Sequence, residues 1–126
     1  GLFKGKQILL ADIDMRSVYS LMAVLEANGM QIHAAANGQD ALDSLDTYPE
    51  IDLVLMAFNM PIMDGYQALK RIRQQEKYAE LPIIALIADA REGDREKYIQ
   101  AGANDYLAKP INTEKLFSLL RVWLYS

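Results

Sequence analysis

The sequence predicts an α/β domain in which a parallel β-sheet is covered on both faces by helices. Two observations carry this reading. Short strand-like runs recur at residues 8–11, 31–35, 53–56, 83–87 and 105–108, and a stretch with helical patterning follows each one. Runs 8–11, 53–56 and 83–87 contain no polar residue, as expected of strands buried on both faces rather than one. The intervals between runs are long enough for a helix, so each connection becomes a right-handed crossover to a parallel neighbour.

Composition narrows the class further. At 126 residues the chain is long enough for one domain with a substantial core. Hydrophobic residues make up 52% and charged residues 24%, the balance of a globular protein. A net charge of -4 gives no basis for a nucleic-acid or anionic-membrane surface. With no cysteine there is neither disulfide nor thiolate chemistry, which fits a reducing compartment and a cytoplasmic location. No apolar run is long enough to span a bilayer and no signal-peptide pattern opens the chain. Residues 1–6 read as a lead-in, in part a cloning remnant, and residues 7–126 as the domain.

The elements follow in order. The run at 8–11 ends in Asp12, and Asp14 is placed to cap a helix over residues 15–28 that Gly29 closes in a left-handed turn. Gln31–Ala35 is less apolar and reads as an edge strand. After the break at Asn37 and Gly38, residues 39–45 form a short amphipathic helix with Ala41, Leu42 and Leu45 inward. The central run, 53–56, opens into a loop punctuated by Pro61 and Gly65. The next helix, 66–75, buries Leu69 and Ile72 and turns Lys70, Arg71 and Arg73 outward. Pro82 introduces the fourth strand. A polar helix at 94–100 closes at Gly102, the fifth strand ends at Lys109 and Pro110, and Asn112 caps a last helix reaching about residue 125.

In an open α/β sheet, chemistry collects at the carboxyl edge of the strands. At that edge of the central strand stands Ala57, a methyl group with no reactive atom.

Several motifs together resemble the receiver domain of bacterial two-component response regulators, particularly receivers attached to hybrid sensor histidine kinases. They are the acidic end of the first strand at Asp12, Met60-Pro61-Ile62-Met63-Asp64-Gly65 after the third, Pro82-Ile83-Ile84-Ala85-Leu86 at the fourth, and residues 101–110 across the fifth. The likeness covers residues 7–124. It implies a flavodoxin-like doubly wound sheet of five parallel strands in the order 2-1-3-4-5, with five helices. It also implies phosphoryl transfer from a histidine to an aspartate. Two acids and the acceptor hold Mg²⁺, a lysine neutralises developing charge, a hydroxyl receives the phosphate, and an aromatic follows that hydroxyl.

Carried onto this chain, the resemblance returns mostly losses. Ala57 stands at the acceptor position, Ile13 at the second acid and Ile87 at the hydroxyl. Retained are Asp12, Lys109, Pro110, the switch-like aromatic Tyr106, and Asn59 where the family offers a backbone carbonyl to the metal. No catalytic residue and no metal site are expected, with Asp12 the remnant of the acid pair. All three departures are to apolar side chains, which fits a site out of use better than a single laboratory substitution.

The remaining residues have local readings. Asp12 and Lys109 are expected to form a structural ion pair rather than an anion or metal site, since one carboxylate is a poor Mg²⁺ cage. Asp14 is a helix cap, not a replacement ligand, and Asp64 a turn residue. His33 has no partners at ligand spacing. Tyr106 is expected in a fixed rotamer, helping to form a docking surface with the last two helices. The first helix carries more apolar residues than one buried stripe needs. Met15, Tyr19 and Met22 are then either a docking patch for a helical partner or covered by a neighbouring loop or the last helix. The last helix, with Leu119, Leu120, Val122, Trp123 and Leu124, covers the sheet or contributes to a homodimer.

The expected function is a phosphorylation-incompetent receiver-like domain in phosphorelay signalling, itself not an enzyme. It acts by protein–protein interaction within a sensor kinase, on a histidine kinase or histidine phosphotransfer helical domain, in cis or in trans. No cofactor, nucleic acid or direct membrane contact is expected, although a parent kinase can tether the domain to the inner membrane. The alternative is a Mg²⁺-dependent phosphoaspartate receiver whose acceptor was replaced in the laboratory by Ala57. A third reading gives the emptied pocket a small anion.

Overall fold

The computed structural model describes residues 1–88 and 94–125. Five strands, β1 (Gln7–Ala11), β2 (Gln31–Ala35), β3 (Leu53–Ala57), β4 (Ile83–Ile87) and β5 (Asp105–Ala108), form one parallel sheet in the order β2-β1-β3-β4-β5. The helices are α1 (Met15–Ala27), α2 (Gly38–Thr47), α3 (Gly65–Arg73), α4 (Asp94–Ala101) and α5 (Thr113–Tyr125), with a 3-10 turn at Glu76–Tyr78 after α3. This is the flavodoxin-like architecture the sequence implies.

Side-chain alternation along the strands divides the interior into two layers. Leu9, Val54, Met56, Ile83 and Ala85 face α2, α3 and α4. Ile8, Leu10, Leu53, Leu55, Ile84 and Leu86 face α1 and α5. Every residue of β3 and β4 is buried, which is why those strands read as unbroken apolar runs. β2 lies at the edge, and its mixed burial matches its mixed composition.

The helix ends follow from local chemistry. Asp14 caps α1 by accepting from the Arg16 amide, Asn37 caps α2 through the Asp40 amide, and Asn112 accepts from the Lys115 amide at the start of α5. Gly29 closes α1 at φ +82°, a conformation that an added Cβ would strain.

Three details differ from the sequence reading. The third helix ends at Arg73 and relaxes into the 3-10 turn instead of continuing to residue 75. Arg73 does not point freely outward. Its guanidinium donates to Gly102 O at 2.9 Å, Tyr78 O at 2.8 Å and Asn104 Oδ1 at 2.7 Å. It therefore fastens the end of α3 to the α4–β5 turn, and a planar five-donor group suits three diverging acceptors. Asp64 is not simply a turn residue. It caps α3, accepting from the Gln67 amide at 2.8 Å while Gln67 Oε1 accepts from the Asp64 amide, a reciprocal capping box.

The first residues are docked. Phe3 is buried, packs on Phe117 and Tyr125, and Leu2 O accepts from the Tyr125 hydroxyl. Gly5 N–H donates to Gly29 O. The opening segment thus seals the gap between the end of α1 and the end of α5. In α5, Leu116 and Leu120 are buried against the sheet, whereas Val122 is 53% exposed.

Candidate functional site

The carboxyl ends of β1, β3 and β4 surround a cleft of about 370 Å³. Its floor is one ion pair. Lys109 Nζ lies 2.5 Å from Asp12 Oδ2, and the two side chains are 14% and 2% exposed. The other carboxylate oxygen, Oδ1, accepts from the Asp14 amide at 3.0 Å. The walls are largely hydrocarbon: Ile13, Ala57, Leu86 and Ile87 line the cleft with Phe58 and Tyr98.

Each of these side chains is placed by the chain around it. β1 runs straight into Asp12, whose amide donates to Ala35 O at 2.9 Å, so its carboxylate turns in over the end of the sheet. The Lys109 amide donates to Ile87 O at 2.8 Å, continuing the β4–β5 ladder and directing the lysine across the cleft. The loop after β3 is drawn back on itself. Gly65 N–H donates to Phe58 O at 3.0 Å, and a Cβ on Gly65 would meet Ala57 O at 2.2 Å. Only glycine fits that approach.

Asp14 also lines the cleft, but its oxygens are engaged by the Arg16 amide at 3.1 Å and the Ser17 hydroxyl at 3.2 Å. Desolvation raises the Asp14 pKa. The Ser17 and Arg16 hydrogen bonds and the Lys109 charge outweigh it and hold the carboxyl below its usual 3.8. Asn59 sits at the mouth with its side chain exposed, and Pro110, just outside, is joined to Lys109 by a cis peptide bond. Ile62 in the same loop is 84% exposed and adopts φ +70°.

The other residues singled out in the sequence lie outside the cleft. Tyr106 is half-buried on β5 with the Arg95 guanidinium 5.4 Å from its ring centroid. Met15 and Tyr19 are 49% and 67% exposed, and Met22 is partly buried against the α1–α5 core. His33 Nε2 lies 2.8 Å from Gln7 Oε1, and its ring stacks on Tyr48 at 4.1 Å. The sequence reading missed the Phe58–Tyr98 stack, with centroids 4.1 Å apart. The available signal was an aromatic directly after Ala57 and a lone aromatic in an otherwise polar helix.

Residues 8–121 match the model of the response regulator receiver domain. The chain belongs to that family. This receiver is 35% identical over 123 residues to the sensor histidine kinase GacS of Pseudomonas protegens, covering 95% of this chain and 13% of GacS. It therefore spans about one-eighth of the length of that relative. Among solved structures it resembles the receiver domain of sensor histidine kinase PA1611 from Pseudomonas aeruginosa, with 39% identity and a TM-score of 0.88 over 97% of this chain and 99% of that one. That crystal structure has a magnesium ion coordinated in its active-site cleft. A co-crystal structure of the Saccharomyces cerevisiae histidine phosphotransfer protein Ypd1 with the receiver domain of Ssk1 matches at 26% identity and a TM-score of 0.88, covering 98% of this chain and 91% of that one.

Whether Mg²⁺ suits this receiver follows from its donors. The ion demands near-octahedral oxygen coordination, with carboxylates supplying charge. Here the Asp12 oxygens are taken up by Lys109 and the Asp14 amide, and those of Asp14 by its helix cap. Positions 13 and 57 present hydrocarbon. Among the described residues no group of three or more His, Cys, Asp or Glu side chains comes together. The residues present do not fit the ion. Among the same residues no helix is long and apolar enough to cross a membrane.

Proposed function

We propose that this receiver is phosphorylation-incompetent and works in two-component signalling by contact alone, as one domain of a sensor histidine kinase. The observation that carries the reading is the chemistry around Ala57. An aspartyl acceptor needs a carboxylate nucleophile, a metal to organise the phosphoryl oxygens and a donor to receive them. The corresponding positions hold Ala57, Ile13 and Ile87, and the retained Lys109 is already paired with Asp12. The domain is then not an enzyme and needs no cofactor. Its partner is a histidine kinase or a histidine phosphotransfer helical domain, in cis or in trans, and it works in the cytoplasm. The exposed Met15 and Tyr19 on α1, beside the partly buried Met22, are the proposed contact surface.

The competing reading is an ordinary Mg²⁺-dependent receiver with its acceptor replaced by Ala57. It draws on the retained Asp12 and Lys109 and on the likeness to the magnesium-bound PA1611 receiver. Intact mass after incubation with acetyl phosphate and Mg²⁺ separates the two. Under the proposal, neither the chain as it stands nor Ala57→Asp takes up a phosphoryl group, because Ile13 and Ile87 still deprive the site of a ligand and a receiver. A labile phosphoryl adduct on Ala57→Asp decides for the competing reading.

A further inference from the structure

Most described side chains of helix α4 face solvent. Arg95, Glu96, Lys97 and Gln100 are exposed, Ile99 is 40% exposed, and its contribution to the core comes from Tyr98 and Ala101, both only partly buried. A polar eight-residue helix without a buried stripe depends on tertiary anchors for its position. The Tyr98 ring lies 4.1 Å from that of Phe58, at an interplanar angle of 31°. Phe58 directly follows Ala57, so the stack joins the carboxyl end of β3 to α4 across the mouth of the cleft, and both rings line it. Three residues before Tyr98, about one turn away, Arg95 covers the Tyr106 ring on β5.

We propose that the Phe58–Tyr98 stack is a permanent clamp that seats α4 on the end of β3 and holds the α4–β5 surface in one state without a covalent signal. The inference rests on the reading that no phosphoryl group forms at position 57. In a working receiver of the kind the sequence resembles, the link between β3 and the β4–α4 side is made by phosphate and a hydroxyl. Ala57 and Ile87 have neither, whereas the aromatic contact one residue later joins the end of β3 to α4 continuously. Offset and tilted aromatic pairs add stabilisation beyond the area they bury, which is what a clamp between β3 and α4 requires.

Amide hydrogen exchange on the chain, without phosphodonor, tests the clamp. With Phe58→Ala, exchange across residues 96–101 should accelerate on the order of tenfold, while amides of β1 and β3 keep their rates. Should Phe58→Ala not fold, Phe58→Leu keeps apolar bulk without the ring and should show the same local acceleration. Leu25→Ala, in the opposite core layer, serves as the control for general destabilisation. Unchanged α4 exchange in the Phe58 variants overturns the proposal. So does acceleration spread over every element as in Leu25→Ala. The phosphorylation assay on Ala57→Asp is independent. A phosphoryl adduct there removes the basis in Proposed function, whereas failure of the exchange experiment removes the clamp alone.

Discussion

Lys109 Nζ and Asp12 Oδ2 meet at 2.5 Å beneath the cleft, at a site where the lysine side chain is 14% exposed and the carboxylate 2%. A buried pair of this kind is costly to break and less costly to replace outright, because a lone buried charge keeps its desolvation penalty. Lys109→Met is therefore expected to destabilise the domain by about 3 kcal/mol or more, read by urea denaturation. The double substitution Asp12→Leu/Lys109→Met should recover most of that loss. Additive losses in the two single variants and the double variant would show that the pair has no energetic coupling.

Arg73 is the second internal cation worth removing. Its three hydrogen bonds hold the 3-10 turn, the α4–β5 turn and Asn104, whose Oδ1 also accepts from the Ile83 amide at 2.8 Å. Arg73→Ala should cost about 2 kcal/mol, the range for charge-assisted bonds whose acceptors are left stranded. Arg73→Lys should not restore it, since a single ammonium cannot span three diverging acceptors. Chemical denaturation of the three proteins side by side checks both statements.

The approach of Gly65 to the end of β3 is equally specific. Its missing Cβ would stand 2.2 Å from Ala57 O and 2.8 Å from Phe58 Cα, both backbone atoms that cannot swing aside. Gly65→Ala is expected to cost about 2 kcal/mol through forced displacement of that loop. A melting temperature equal to that of the parent would mean the loop shifts freely.

Asp14 gives a pH dependence with a definite sign. Its folded-state pKa lies below the usual 3.8, so the folded state favours the charged carboxylate. The contribution is present above the unfolded value and fades as pH falls through the folded one, below about pH 4. Asp14→Asn keeps the helix cap without the titration. Thermal melts across the acid range should show the parent losing more stability than Asp14→Asn as pH drops.

The surface of α1 offers a test of partner contact. Met15 and Tyr19 are largely exposed, so Met15→Ser/Tyr19→Ser should change stability by no more than about 0.5 kcal/mol. Under the proposed function the same pair abolishes capture of a histidine phosphotransfer domain. Met22 is better left intact, because it packs partly into the core and its replacement would mix folding with binding.

Much of this molecule was legible in the chain itself. β3 and β4 announced themselves because strands buried on both faces admit no polar residue, and Asp14 and Asn112 marked helix starts because short polar side chains satisfy free amides there. The Asp12–Lys109 contact could be anticipated because strand ends 97 positions apart converge at one edge of a parallel sheet. Arg73 was misread because helical periodicity assigns a face, whereas two of its three acceptors are backbone carbonyls that no pattern of side chains reveals. The Phe58–Tyr98 stack was missed for a similar reason: it joins a loop residue to a helix whose amphipathic signal is weak.

The docking of Phe3 and Leu2 on Phe117 and Tyr125 brings residues 2–3 and the end of α5 together where the strands begin, at the pole opposite Asp12 and Lys109. A surface linker, affinity handle or fluorophore attached near residue 2 or near the end of α5 therefore leaves the ion-paired pole facing solvent. Immobilised preparations should present that pole, and with it the start of α1, to an incoming molecule without steric shadow.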